Sequence, residues 1–226
     1  GTDVHIVAGT SRSSPPVVLG HEYAGIVEDV AKDVTDFKPG QKVAVDPNIA
    51  CGACLFCRRG EVHLCSNLKA LGVDIDGGMA QYCIVPQRQA YALLDGFPEH
   101  AAAFIEPVSC VVRGIDRAGI KAGDTVVIVG AGTIGLVMLQ LVRHAGAART
   151  IVIEPHEQKR LIAKKLQANE VIDPSRTDTL NAVRDLTSIG ADVVIECAGN
   201  ERTALLAVEL ARRGGMVELF GVCPIG

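Results

Sequence analysis

No tryptophan occurs in this chain, and only three tyrosines and five phenylalanines stand among its 226 residues. Aromatic platforms on which nucleobases stack are therefore not expected. Positive charge is not in excess either. The 22 Lys and Arg against 26 Asp and Glu give a net charge of −4, and no basic cluster offers a groove to a phosphate backbone. Nucleic acid is excluded as a partner on both counts. Long apolar runs are also missing. Stretches such as Val126-Val127-Ile128-Val129 and Ile151-Val152-Ile153 have the length of a strand and fall far short of a membrane span, so no membrane partner is expected. What remains is 48% hydrophobic and 21% charged, the balance of globular domains with room for one or two cores.

Eight cysteines are present, and four of them crowd into fifteen residues. Cys51, Cys54, Cys57 and Cys65 form a C-x2-C-x2-C-x7-C run. Zinc takes four thiolates in such structural sites, at about 2.3 Å per bond. Gly52, Ala53 and Arg59-Gly60 supply turns that let the loop fold back on one ion. The bacterial iron–sulfur run closes with x3 and a proline instead. Paired disulfides belong to secreted chains, and no signal peptide is visible. A structural zinc site is expected, in a lobe of about residues 47–68. Cys83, Cys110, Cys197 and Cys223 stand among apolar neighbours and are read as buried free thiols of a reducing, cytoplasmic compartment.

The chain changes style near residue 100. Before it, short β-rich runs at 17–19, 24–30, 42–45 and 80–85 are cut by Pro and Gly turns such as Lys38-Pro39-Gly40. That pattern predicts a small antiparallel barrel or sandwich. After it, a helical stretch (101–118) leads into alternating elements: strands at 125–129, 150–154, 171–172, 192–197 and 216–221, with helices at 134–144, 157–165, 179–186 and 201–210 between them. Such alternation predicts an α/β unit with a parallel sheet and helices on both faces. The two domains are placed at 1–111 and 112–226.

Gly130-Ala131-Gly132-Thr133-Ile134-Gly135 matches G-x-G-x-x-G after a strand and before a helix, the context the motif requires. Gly130 serves the tight turn, Gly132 the approach of a pyrophosphate, and Gly135 the packing of helix on strand; the phosphates would meet N–H groups at the helix start. Glu154 ends the next strand, where a carboxylate bonds the ribose 2′-OH and repels a 2′-phosphate, which favours NAD over NADP. Lys159-Arg160 nearby would moderate that preference.

Further short motifs complete the picture: Gly1-Thr2-Asp3-Val4-His5, Gly20-His21-Glu22, Gly77-Gly78-Met79-Ala80-Gln81-Tyr82 and Ile105-Glu106-Pro107. Together with the cysteine run and the glycine turn, they resemble the zinc-dependent medium-chain alcohol and polyol dehydrogenases. Within that family, Glu22 and Glu106-Pro107 are closer to the sorbitol, threonine and butanediol branch than to the ethanol branch. The resemblance implies a GroES-like β-barrel catalytic domain followed by a Rossmann doubly wound parallel sheet. It implies a second, catalytic zinc on His21, Glu22 and Glu106, with Glu106 bound directly or through water. It further implies that Asp3 orients the metal-bound histidine, while Thr2 takes the substrate proton and His5 passes it to solvent. The implied reaction moves hydride from a small-molecule secondary alcohol or polyol to NAD, giving a ketone. A homodimer or homotetramer is implied for the full-length parent. The family's cysteine ligand before Gly1, its first strands and the end of its nucleotide sheet are expected outside this chain, which reads as a fragment. The alternative is a non-catalytic, zinc-stabilised nucleotide-binding protein.

Overall fold

The computed structural model describes every residue except Arg12, Ser14 and 224–226. The abrupt exit expected at Pro224-Ile225-Gly226 lies outside the described residues. The chain forms two compact units, Gly1–Pro107 and Val108–Gly226.

The first unit contains α1 (Thr2–Val7), β1 (Ala24–Ile26), β2 (Lys42–Val45), β3 (Asn48–Ile49), α2 (Leu55–Arg58), β4 (Lys69–Ala70), β5 (Ala90–Ala92) and α3 (Glu99–Ala102). β2 lies between β1 and β5, antiparallel to both, and β3 pairs with β4 in a separate ribbon. Antiparallel pairing is as expected, and the described residues carry it in this three-stranded sheet and the ribbon. Val43, Ala44 and Val45 of β2 are buried, as are Leu71 and Ala102. Two expected strands, 17–19 and 80–85, do not form. Apolar alternation supplies a face, but a strand also needs a ladder partner. Val18, Leu19 and Gly20 instead give their carbonyls to the N–H groups of Gly77, Met79 and Gly78, at 2.8, 2.9 and 2.8 Å. Residues 80–85 leave Tyr82 and Ile84 exposed.

The expected helix 101–118 is split into α3 and α4 (Ile105–Ala118). A continuous helix would require Pro107 to donate to the carbonyl of Ala103, and proline has no N–H. Starting at Ile105 places Pro107 in the first turn, where that bond is not needed. β6 (Thr125–Val129), α5 (Thr133–His144), β7 (Arg149–Ile153), α6 (Glu157–Lys165), β8 (Glu170–Ile172), α7 (Thr179–Thr187), β9 (Ala191–Glu196), α8 (Glu201–Leu210) and β10 (Ala211–Leu219) follow in the predicted alternation. β10 starts earlier than expected, at Ala211, and its register shifts before Met216, where Gly214 and Gly215 interrupt the pairing pattern.

The five parallel strands run in the order β10-β9-β6-β7-β8. Alternate residues face opposite sides, so each side builds its own core. Val126, Ile128, Val152, Val193 and Ile195 pack with Met138, Leu139 and Val142 of α5 and Val111 of α4. Val127, Val129, Ile151, Ile153 and Val194 pack with Val183 of α7 and Leu210 of α8. None of the eight cysteines is disulfide-bonded. The expectation that Cys83, Cys110, Cys197 and Cys223 are buried is corrected: Cys110 and Cys223 are exposed and the other two are half-buried. On α4 the core-facing stripe is Val108, Val111, Ile115 and Ala118, and Cys110 lies off it.

Ile128→Ala should cost about 2–5 kcal/mol, because the truncated side chain leaves a cavity against α5. Urea unfolding followed by circular dichroism measures this, and a loss below about 1 kcal/mol would contradict the packing.

Candidate functional site

The four cysteines of the lobe converge. Cys51, Cys54, Cys57 and Cys65 place their sulfurs within 4.8 Å of one another, close to the roughly 3.8 Å edge of a zinc tetrathiolate with bonds of about 2.3 Å. α2 carries Cys57 and is preceded by Cys54, with sulfurs 3.5 Å apart. The Cys65 sulfur accepts from the N–H groups of Cys51 (3.2 Å) and Asn67 (3.4 Å). The backbone N–H groups of Cys57 and Ser66 hold the Cys54 thiol down at about 6, and those of Ala53 and Cys54 lower Cys51. Cys57 is pushed up to about 12, first by desolvation and then by the neighbouring thiols. Thiolates so supported, in a crowd that otherwise has to share protons, suit a divalent cation. Among the described residues no other group of three or more His, Cys, Asp or Glu side chains converges in this way.

His21 follows a glycine junction. Gly20 has φ +97°, and a Cβ at Gly77 would lie 2.2 Å from the Gly20 carbonyl oxygen. That close approach is what the Gly77-Gly78 pair permits, and it fixes the backbone from which His21 projects. The His21 ring has Asp3 on one side and Glu22 on the other: Nδ1 is 3.3 Å from Asp3 Oδ2, and Nε2 is 3.7 Å from Glu22 Oε1. Asp3 Oδ1 accepts from the Gly20 N–H at 3.1 Å. Buried His21 Nδ1 has no aligned hydrogen bond, so the Asp3 carboxylate is near it without closing on it. The donor chemistry around His21 suits a metal, and two of the three expected ligands are adjacent. His21, Glu22 and Glu106 do not together reach the spacing of the cysteine site. Thr2 and His5 lie on α1, one turn apart, and His5 Nδ1 is 3.1 Å from the Thr10 hydroxyl on the exposed side.

The second unit carries a cleft of about 1180 Å³ at the carboxyl edge of its sheet. β6 has β7 on one side and β9 on the other, so the chain reverses direction across the sheet here, the place where open α/β sheets bind ligands. Gly130 turns out of β6 with φ +99°, and its N–H donates to the Ile153 carbonyl at 2.8 Å. A Cβ at Gly135 would stand 2.0 Å from the Gly130 oxygen, so only glycine lets α5 begin this close to β6. Gly132, the N-cap of α5, faces open space on the cleft wall. Thr133 and Ile134 are the first residues of α5; they are not part of the lining, and Ile134 packs on the core. These residues fit a dinucleotide through the chemistry of the turn: free N–H groups at a helix start beside an uncovered glycine.

Glu154 is at the expected strand end but is only 3% exposed. Oε2 accepts from the Ala131 N–H (2.8 Å) and Oε1 from the His156 N–H (2.9 Å), so the carboxylate ties the glycine turn to the start of α6. Lys159 and His156 line the cleft beside it. Arg160 does not: it pairs with Asp173 at 2.9 Å and donates to the Glu154 and Pro155 carbonyls. Cys197, on the opposite wall, is pushed up to about 12 by burial and then by the charges of Glu196 and Glu218, so it stays a neutral thiol. Glu196, the fully buried carboxylate that ends β9, carries no sequence signal beyond being an acidic residue that closes an apolar run.

Gly77→Ala should lower the melting temperature by about 4–8 °C, since backbone has to move to admit the methyl group. Gly25→Ala, which meets open space, is the control expected to stay within about 2 °C. Equal shifts for the two variants would contradict the junction.

Two family models match this chain: the alcohol dehydrogenase GroES-like domain over residues 1–95 and the zinc-binding dehydrogenase domain over residues 133–226. It is 35% identical over 227 residues to the L-threonine 3-dehydrogenase of Caldanaerobacter subterraneus subsp. tengcongensis, covering 98% of this chain and 65% of that one. Against the L-threonine 3-dehydrogenase of Xanthomonas campestris pv. campestris it is 31% identical over 230 residues, 100% and 67% of the two chains. It superposes with TM-score 0.97 and 44% identity on a protein of Sinorhizobium meliloti 1021 assigned as a zinc-binding dehydrogenase and solved bound to NADP, covering 100% of this chain and 67% of that one. On alcohol dehydrogenase TADH from Thermus sp. ATN1 the values are 0.92 and 30%, with the same coverage. The chain spans about 65% of the length of the first curated relatives it matches. It belongs to the zinc-dependent medium-chain alcohol and polyol dehydrogenase family.

Proposed function

We propose that the protein is a zinc-dependent oxidoreductase that converts a small secondary alcohol or polyol to a ketone with NAD as hydride acceptor. The observation that carries this reading is the cleft at the strand reversal, where the glycine turn, Glu154 and the start of α5 meet. Zinc bound near His21 would acidify the alcohol, and a bound nicotinamide would accept the hydride. His21 Nε2 and Glu22 are the ligands we assign to that ion, with Glu106 as the third, directly or through water. Asp3 holds the His21 ring through its place between Nδ1 and the Gly20 N–H. Thr2 would accept the alcohol proton at its hydroxyl while releasing its own toward the nicotinamide ribose, and His5, exposed on the same helix, would pass it to solvent. The threonine dehydrogenases among its relatives support a secondary alcohol as substrate, and we place L-threonine beside polyols in the panel to be tested. Among the described residues no helix is long and apolar enough to cross a membrane. A cytoplasmic homodimer or homotetramer is the assembly we assign to the whole protein.

One observation favours the second reading, a zinc-stabilised nucleotide binder without catalysis. His21, Glu22 and Glu106 do not together reach the spacing at which the four cysteine sulfurs lie. Turnover of the alcohol panel with NAD that a chelator abolishes supports the enzyme. Nucleotide binding with no turnover supports the binder.

NAD is preferred, in our reading, because the Glu154 charge lies beneath the ribose; Lys159 is the cation on the rim that moderates it, since Arg160 is committed to Asp173. Glu154→Gln should raise NADPH affinity relative to NADH by about tenfold, a change of about 1.4 kcal/mol. Fluorescence titration measures the ratio, and an unchanged ratio removes Glu154 from the preference.

Zinc analysis of the purified chain should find about one tightly held equivalent, lost in Cys57→Ser and kept in His21→Ala. Retention of zinc by Cys57→Ser would contradict the cysteine site.

A further inference from the structure

Glu196 closes β9 with a carboxylate of 0% exposure. Its Oε1 accepts three hydrogen bonds, from the Ala198 N–H (2.7 Å), the Gly199 N–H (2.8 Å) and the Thr203 hydroxyl (2.8 Å). Its backbone carbonyl accepts from the N–H groups of Phe220 (2.9 Å) and Gly221 (2.8 Å), beyond the end of β10. Oε2 has no hydrogen-bond partner among the described residues and faces Gly221, where a Cβ would lie 2.5 Å from it. One residue thus joins the β9–α8 turn, the first turn of α8 and the segment leaving β10.

Burying a carboxylate is costly even when it is bonded, and an apolar side chain would fill the same space without that cost. A buried polar atom without a partner calls for a reason beyond packing. The segment that Glu196 holds supplies one: Cys197, Ala198, Asn200, Glu201, Arg202 and Thr203 form the wall of the cleft opposite Glu154, while Glu196 itself is not in the lining. Gly199 takes φ +71°, and Asn200 caps α8 by accepting from the Thr203 N–H at 3.1 Å, so the wall has a specific and locally demanding shape.

We infer that Glu196 is a positioning residue: through Oε1 it holds residues 197–203 in the shape that receives the dinucleotide. The inference rests on the nucleotide-binding reading above. It assigns the work to a well-placed acceptor oxygen and not to negative charge. Glutamine keeps that oxygen at the same reach. Aspartate keeps the charge but is one methylene too short to meet all three donors.

The test uses NADH fluorescence titration, favoured by the absence of tryptophan, together with amide hydrogen exchange over 197–203 and over β6 as reference. Glu196→Asp should weaken NADH binding about tenfold and speed exchange in 197–203, with β6 protection unchanged. Glu196→Gln should stay within about threefold of the wild-type affinity and leave exchange at 197–203 slow. Three results overturn the inference: Gln binding as weakly as Asp, Asp binding at the wild-type affinity, or exchange rising equally across the sheet. A wild-type chain that takes up no NADH defeats the nucleotide reading itself. In that case the exchange contrast between Asp and Gln still decides whether Oε1 holds the wall.

Discussion

Everything in the second unit hangs on the way β6 is held. It is hydrogen-bonded on both sides, its residues Val126 to Val129 are buried, and its register with both neighbours is continuous. Val129 stands opposite Ile153 on one side and Glu196 on the other. That alignment brings three carboxyl strand ends to one edge, so the loops after them must share one space. The Gly130 N–H reaches the Ile153 carbonyl, and the Cys197 N–H reaches that of Val129. Parallel register thus creates the cleft before any side chain contributes to it.

Two buried carboxylates then shape the edge. Glu154 directly follows β7 and Glu196 ends β9, the strands that flank β6, and each accepts N–H groups from the loop that follows a strand. The N–H groups of a turn entering a helix lack helical partners, and carboxylates answer them strongly. The same chemistry has two outcomes. Glu154 joins the glycine turn to α6 on the lining of the cleft, whereas Glu196 works from behind the opposite wall. Sequence position alone distinguishes neither from an ordinary strand-terminal acid.

The legible parts of the fold are those with a local cause. The runs 125–129, 157–165 and 201–210 became β6, α6 and α8 at those boundaries, because period 2 or 3.6 and the turn residues around them agree. The glycine turn was readable because Gly130 needs a positive φ and Gly135 a missing side chain. The cysteine run was readable because its spacing is its chemistry. The first unit was less so. Strands expected at 17–19 and 80–85 had apolar residues but no ladder, and β5 was not foreseen in Ala90-Tyr91-Ala92, where the partner strand β2 decides the outcome. The contacts of Glu154 were equally hidden, since the Ala131 N–H that it accepts lies 23 residues away.

The two candidate metal positions differ in a way that bears on their roles. Four thiolates satisfy a zinc ion completely, and the N–H groups around Cys65 and Cys54 stabilise the charge they would carry without it. Such a site can hold a lobe together but has no coordination position left for a substrate. His21 presents the opposite case. Asp3 Oδ2 lies 3.3 Å from its Nδ1 without an aligned hydrogen bond, and Glu22 Oε1 lies 3.7 Å from its Nε2. The glycine junction of Gly20 with Gly77-Gly78 sets the backbone from which that ring projects. Closure thus marks the cysteine set, and openness marks the donors around His21.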